Sequence, residues 1–194
     1  MTMPSLVLGS TSPFRRALLE RLGLPFVTVS PRIDETPLPG ESPEALVTRL
    51  AEAKARAVAP RYSQALIIGS DQVAVIDGQI LGKPGNRERA LAQLRRASGR
   101  EVRFLTGLCL LNAASGRAQV VCEPFHVHFR ELDDARIGRY LDAEQPFNCA
   151  GSFKSEGLGI ALFRRLEGED PNALIGLPLI RLVDMLAAEG MVVP

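Results

Sequence analysis

Asp71 is the only ionisable residue in the apolar run from Ala65 to Ile76. A carboxylate there is costly to bury unless a metal, a cation or hydrogen-bond donors compensate it, so it reads as a catalytic or metal-binding acid at the end of a strand. Lys54 lies on the line Leu46, Leu50, Lys54, Val58 of an amphipathic segment, where its ammonium must snorkel past the core or meet an anion. The loop carboxylates Asp34 and Glu35 stand upstream, and Lys83 sits between Gly82 and Pro84, in a turn stiff enough to aim its charge. In Ser10-Thr11-Ser12-Pro13-Phe14-Arg15-Arg16, a strand runs through small hydroxyl residues into a helix start. Free backbone N–H groups and the positive end of the helix dipole meet there, and Arg15 can add a two-pronged phosphate contact. Carboxylates, two lysines and an arginine beside a helix N-terminus suit a nucleotide site working with magnesium. The acids hold the ion or activate water, and the cations neutralise phosphate charge as it moves toward a leaving group. Neither GxxxxGK[ST] nor GxGxxG occurs, so a standard NTPase or dehydrogenase is disfavoured.

Those side chains need elements to position them. Leu6–Gly9 predicts a short strand, and Ser12-Pro13 an N-cap with proline at the first helical position, followed by Phe14, Leu18 and Leu22 at helical spacing. A second strand is expected over Phe26–Ser30, a proline-rich loop over Pro31–Pro43, and a helix from there to about Ala59. Ala65–Ile76 predicts a long strand returned by the Asp77-Gly78 turn into Gln79–Leu81. Further on, the pattern predicts a helix over Asn86–Ala97, strands over Val102–Leu111 and Ala118–Phe129, and a helix over Asp133–Glu144. A short strand pair around Gly159–Leu166 and a helix over Pro178–Glu189 complete the chain. Helices interleave with strands, yet some strand neighbours are joined by short turns. An α/β fold is therefore expected, a single domain over residues 1–194 with a mixed twisted sheet, surrounding helices and a nucleotide cleft.

The 194 residues are 46% hydrophobic and 23% charged, with 23 Lys+Arg against 22 Asp+Glu for a net charge of +1. A chain of this length buries roughly 70% of its unfolded surface, enough for a core without disulfides or structural metal. The even charge balance argues against nucleic acid as a partner. Cys109, Cys122 and Cys149 lack zinc or disulfide spacing and are expected as reduced, mostly buried thiols. Met1–Ser5 carries no basic start followed by a long apolar stretch, and no run approaches the roughly 20 apolar residues of a membrane span, so a cytoplasmic protein off the membrane is expected. His126 and His128 share one strand face but lack an evident third ligand. Arg95-Arg96 and Arg164-Arg165 read as solvated charges.

Several motifs combine into a resemblance: SxSPxR at Ser10–Arg15, DE at Asp34-Glu35, RLAxxKA at Arg49–Ala55, GSDQ at Gly69–Gln72, GKP at Gly82–Pro84, AGSFKSEGLG at Ala150–Gly159 and IGLP at Ile175–Pro178. In this order, from about Leu6 to Glu189, they resemble the Maf family of nucleoside triphosphate pyrophosphatases, and more closely its branch acting on 7-methyl-GTP. The resemblance implies a fold like that of inosine triphosphatases. It also implies a cytoplasmic hydrolase that needs magnesium or manganese, with cobalt a further candidate, and that clears modified nucleotides by cleaving between the alpha and beta phosphates. By motif position Asp71 resembles the proton-accepting acid, with Asp71 and Glu35 toward the metal and Ser10, Arg15, Lys54 and Lys83 toward the phosphates. Phe14, Gln72 and Glu156 stand at the three places that distinguish the branch, where the dTTP- and UTP-directed branch has arginine, threonine and glutamine. A methylated guanine carries a delocalised cation that the Phe14 face can attract, and Glu156 can accept the two donors of the guanine edge. The alternatives left open are a broader GTP or pyrimidine triphosphate pyrophosphatase and a nucleotide-binding regulator of cell division. A small-molecule nucleotide is the expected partner, and assembly as a homodimer is left open.

Overall fold

The computed structural model describes residues 5–193. In chain order the main elements are β1 (Leu6–Leu8), α1 (Pro13–Glu20), β2 (Phe26–Thr28), α2 (Pro43–Val58), β3 (Leu66–Ile76), β4 (Gln79–Leu81), α3 (Arg87–Ala97), β5 (Glu101–Asn112), β6 (Ala118–Phe129), α4 (Asp134–Glu144), β7 (Phe163–Glu167) and α5 (Leu179–Ala188). Four helices start where a polar side chain can take an orphan N–H. Ser12, Ser42, Asn86 and Asp133 accept from the backbone three residues on, and Pro13 and Pro43 follow the two serines as expected. Asp77 and Gly78 both adopt positive φ, the geometry of the expected two-residue hairpin.

The sheet is mixed, in the order β2-β1-β3-β5-β6-β7, with β4 beside the far half of β3. β1 runs parallel to β2 and β3, while the pairs β3–β4, β3–β5, β5–β6 and β6–β7 are antiparallel. Alternation along the strands gives each face its own core. On one face Leu46, Val47, Leu50, Ala51, Ala55 and Val58 of α2 pack on Val7, Ile67, Val73, Val75, Leu105 and Cys109. On the other, α1 and α5 bury Leu18, Leu19, Leu182 and Leu186 against Leu6, Leu8, Ile68 and Leu108, while α3 and α4 cover Phe104, Val127 and Phe129. Helix α2 comes unusually close to the strands because Gly69 and Gly107 lie beneath it. A Cβ on Gly69 would stand 2.0 Å from the Ala51 carbonyl oxygen, and one on Gly107 would stand 2.1 Å from that of Val47.

The expected strand pair around Gly159–Leu166 is corrected to a single strand, β7, on the edge beside β6. Residues 158–162 form a 3₁₀ turn instead, because the chain folds back and the N–H of Gly159 binds the Lys154 carbonyl at 3.0 Å. The three cysteines are free. Cys109 is buried, which pushes its thiol up to about 12, and Cys122 and Cys149 are only half-buried. The reading of the N-terminus falls on Met1–Ser5, of which Met1–Pro4 lie outside the described residues. Among the described residues no helix is long and apolar enough to cross a membrane.

Candidate active site

β1 ends at Leu8, and β4 first meets β3 at Ala74. Between them, residues 69–73 of β3 have β5 on one side and no strand on the other. This notch, outside the carboxyl end of a parallel strand pair, opens a cleft of about 920 Å³ lined by the β1–α1 turn, the loop after β2, α2, β3, the Lys83 turn and residues 145–156. A smaller apolar hollow of about 390 Å³ against Leu6, Phe26, Tyr62 and Met191 has no charged side chain in its lining.

The notch holds the residues expected to do chemistry. Lys54 is only 6% exposed, and it does not snorkel: its Nζ lies 2.6 Å from Asp71 Oδ1 and 2.8 Å from Glu35 Oε1. Asp71 and Lys54 thus compensate each other's burial, and a third charge joins from the loop. That loop is tied to α2 by Arg49, whose Nε and Nη2 grip the two Glu41 oxygens at 2.5 and 2.8 Å while Nη2 reaches the Thr36 carbonyl at 3.2 Å. Its grip holds the Glu41 carboxyl down to about 2. Arg15 enters from the first turn of α1 and donates its Nε–H to the Gly176 carbonyl at 2.8 Å, leaving the two terminal nitrogens of its fork. Burial draws its guanidinium below the ordinary pKa, while the charges of Asp71 and Glu35 pull it back up. Arginine nevertheless stays protonated at working pH.

Ser10 is buried and accepts the Ser12 N–H at 3.1 Å, which shapes the entry into α1. Phe14 lines the cleft and takes no place in the hydrophobic clusters, although Leu18 and Leu22 of its stripe do. Lys83 and Glu156 also line the cleft, both exposed, the Lys83 turn being tied down by Gln93 on the Gly82 carbonyl. Gln72 reaches the cleft wall, but its Nε2 is committed to the protein: Thr106 Oγ1 at 2.9 Å, the Ala173 carbonyl at 2.7 Å and the Leu174 carbonyl at 3.1 Å. Sequence reasoning missed Arg49, Thr106 and Lys154. Lys154 pairs with the Glu144 carboxylate at 3.2 Å and shapes the rim below Glu156. Arg49 and Lys154 lie inside the quoted motifs and carried a signal, whereas Thr106 carried none. His126 is hydrogen-bonded to Glu101 at 2.8 Å, and among the described residues no three His, Cys, Asp or Glu side chains are arrayed to hold a metal.

Glu35 and Asp71 each keep one oxygen beyond the Lys54 contact. Two hard carboxylates reaching a cleft suit magnesium or manganese, which fill their shells with water and substrate phosphate rather than an all-protein cage.

The family described as Maf-like protein matches residues 5–189, and the chain belongs to that family. It is 64% identical over 192 residues to the 7-methyl-GTP pyrophosphatase of Pseudomonas aeruginosa, covering 99% of this chain and all of that one. To the protein of the same name from Alcanivorax borkumensis it is 64% identical over 98% of this chain and 97% of that one. The corresponding Nitrosococcus oceani protein is 62% identical over 96% of this chain. Among solved structures, the Staphylococcus aureus Ham1 protein aligns at a TM-score of 0.45 with 13% identity, over 66% of this chain and 72% of that one.

Proposed function

We propose that this chain, acting as a single domain in the cytoplasm, hydrolyses 7-methyl-GTP to 7-methyl-GMP and diphosphate. The observation that carries the chemistry is Lys54 held between Asp71 and Glu35 in the notch beside the start of α1. The names of its relatives in three bacteria support the substrate.

Lys54 fixes Asp71 through Oδ1, so the second oxygen is free to take a proton from water. The water oxygen forms a bond to the alpha phosphorus, the bond from that phosphorus to the bridging oxygen breaks, and diphosphate leaves with the electron pair. Arg15, with its Nε anchored, presents its remaining nitrogens to phosphate oxygens, and Lys83 adds charge from the rim. The Ser12 and Arg15 N–H groups are taken by Ser10 Oγ and Ser12 Oγ and Pro13 has none, which leaves the Thr11 and Phe14 N–H groups at the start of α1 to meet the same phosphates. Glu35, with Asp71 next to it, would hold a divalent cation, which would supply charge neutralisation and a more acidic water. Phe14 offers its face to the cationic methylated ring, and Glu156 accepts from the guanine edge.

Diphosphate release is measured from 7-methyl-GTP, GTP and UTP with magnesium, manganese or cobalt. The expected order is 7-methyl-GTP well above the others, with Asp71→Asn about 100-fold or more slower at unchanged circular dichroism. Equal turnover of all three would refute the substrate, half-activity in the folded variant would refute Asp71 as base, and no turnover with any metal would favour the regulator.

A further inference from the structure

Successive residues of a strand face opposite sides of the sheet. Asp71 faces α2, and Ser70 and Gln72 must therefore face the segment between β7 and α5. That segment is a 3₁₀ turn over Pro171–Ile175, closed by Gly176 at φ 117°. It is pinned at its start by Asp170, 1% exposed, whose carboxylate accepts the N–H groups of Asn172 and Ile180. Its carbonyls turn to the sheet. The Ala173 oxygen accepts from Thr106 Oγ1 at 2.9 Å and from Gln72 Nε2 at 2.7 Å, and the Leu174 oxygen from Gln72 at 3.1 Å. The Gly176 oxygen accepts from Ser70 Oγ at 2.9 Å and from Arg15 Nε at 2.8 Å. Leu174 and Ile175 line the cleft, whereas Thr106 is fully buried outside it.

Resting on the proposed pyrophosphatase reading, we propose that Thr106, buried outside the cleft, is a further selectivity-determining residue that acts as a positioning residue, by holding the Ala173–Gly176 wall together with Gln72. The Gln72 amide nitrogen has three protein acceptors for two hydrogens and keeps none for a base. That nitrogen therefore acts through the wall it holds. The Thr106 hydroxyl donates its one hydrogen to Ala173 and accepts from Gln72, so the two side chains share the Ala173 carbonyl and each orients the other, while Gln72 alone also holds that of Leu174.

Two readouts test this. The first is kcat/KM for 7-methyl-GTP, GTP and UTP in Thr106→Val, Gln72→Met and the double variant, with Thr106→Ser as the conservative control. Thr106→Val is expected to lower the 7-methyl-GTP to UTP ratio about fivefold, the worth of one net hydrogen bond. Gln72→Met should move it the same way, the double variant little further, and Thr106→Ser should keep the wild-type ratio. The second readout, hydrogen exchange at Ile175–Leu177, needs no turnover and should rise in both single variants. If Thr106→Val slows all three substrates equally, or leaves ratios unchanged that Gln72→Met alters, Gln72 reads the base directly and the proposal fails. Unchanged exchange in both variants also overturns it. Should Thr106→Val not fold, Gln72→Met carries the exchange test by itself. Wild-type turnover, measured separately, decides the pyrophosphatase reading.

Discussion

Gly69→Ala should unseat α2 and dismantle the charge cluster from beneath. The new Cβ would lie 2.0 Å from the Ala51 oxygen and 2.9 Å from the Ala55 nitrogen, both of them backbone atoms that no rotamer change can clear. Opening 2.0 Å to the 3.4 Å of an ordinary contact means about 1.4 Å of helix displacement. Lys54 rides on that turn, and contacts of 2.6 and 2.8 Å to Asp71 and Glu35 do not survive such a shift. Overpacking of this kind costs about 1–3 kcal/mol. For a chain of this size, about 2–4 °C per kcal/mol predicts a melting point lower by roughly 2–12 °C. Misplacing the reacting groups by about 1 Å lowers kcat/KM about 100-fold. Gly82→Ala is the stability control, since nothing lies within 4 Å of its added Cβ. Its melting should stay within about 0.5 kcal/mol of wild type. A Gly69→Ala protein that melts with wild type and keeps its turnover would show that close seating of α2 is not what positions Lys54.

Arg49→Gln should release the loop that carries Glu35 and lower kcat/KM while leaving the core intact. Because the folded Glu41 carboxyl is depressed from 4.5 to about 2, its contribution is fully present above the unfolded value and is lost progressively as pH falls from there through about 2. The melting difference between wild type and Arg49→Gln should thus be flat from pH 8 to 5 and shrink below about 4.5; a difference that vanished already at pH 6 would refute the staple. Phe14→Ala should lower the preference for 7-methyl-GTP over GTP, because only the methylated ring carries the charge that an aromatic face attracts by about 0.5–2 kcal/mol. Glu156→Gln replaces an accepting oxygen with a donor and should cost roughly 1–3 kcal/mol of discrimination against UTP in kcat/KM ratios.

Much of this architecture was legible because local chemistry dictated it. The caps Ser12 and Ser42, the Asp77-Gly78 turn and the apolar strand through Asp71 each impose their structure on a few neighbouring residues. Lys54 could be flagged from one helix line, but its partners could not be chosen between snorkelling and pairing until β3 was laid beneath α2. What stayed invisible depends on distant segments meeting. The Gly69 and Gly107 contacts with α2 read as ordinary glycines, and the Gln72–Thr106–Ala173 network spans residues 34 to 101 positions apart. The strand pair around Gly159 failed for a related reason: apolar alternation over a few residues does not register that a glycine has closed the chain onto Lys154. Gln72 is the instructive case. Its place in a motif pointed at substrate, and strand alternation sets it on the opposite side of the sheet from Asp71, where it lines the cleft and also binds the Ala173 and Leu174 carbonyls.

The charge inventory of the notch bears on the metal. Asp71 and Glu35 together offset Lys54 and Arg15, so the four groups in mutual reach sum to no net charge. A nucleoside triphosphate brings about four negative charges near neutral pH, since its terminal phosphate group titrates near pH 6. Lys83 at the exposed rim answers one of them through solvent, where a contact is worth little. The helix N-terminus adds only about half a charge. The protein alone would therefore leave the bound phosphates under-compensated, and a divalent ion held at Glu35 beside Asp71 would bring the site near balance. Adding a chelator should lower turnover of 7-methyl-GTP by about 100-fold or more, with magnesium or manganese restoring it. Glu35→Gln should raise the metal concentration needed for half-maximal rate without lowering the melting point, because Glu35 is 58% exposed in its side chain and Lys54 keeps Asp71. Full turnover in chelator, or a Glu35→Gln enzyme with unchanged metal dependence, would mean that Lys54, Arg15 and Lys83 suffice and that the two carboxylates serve only to hold Lys54.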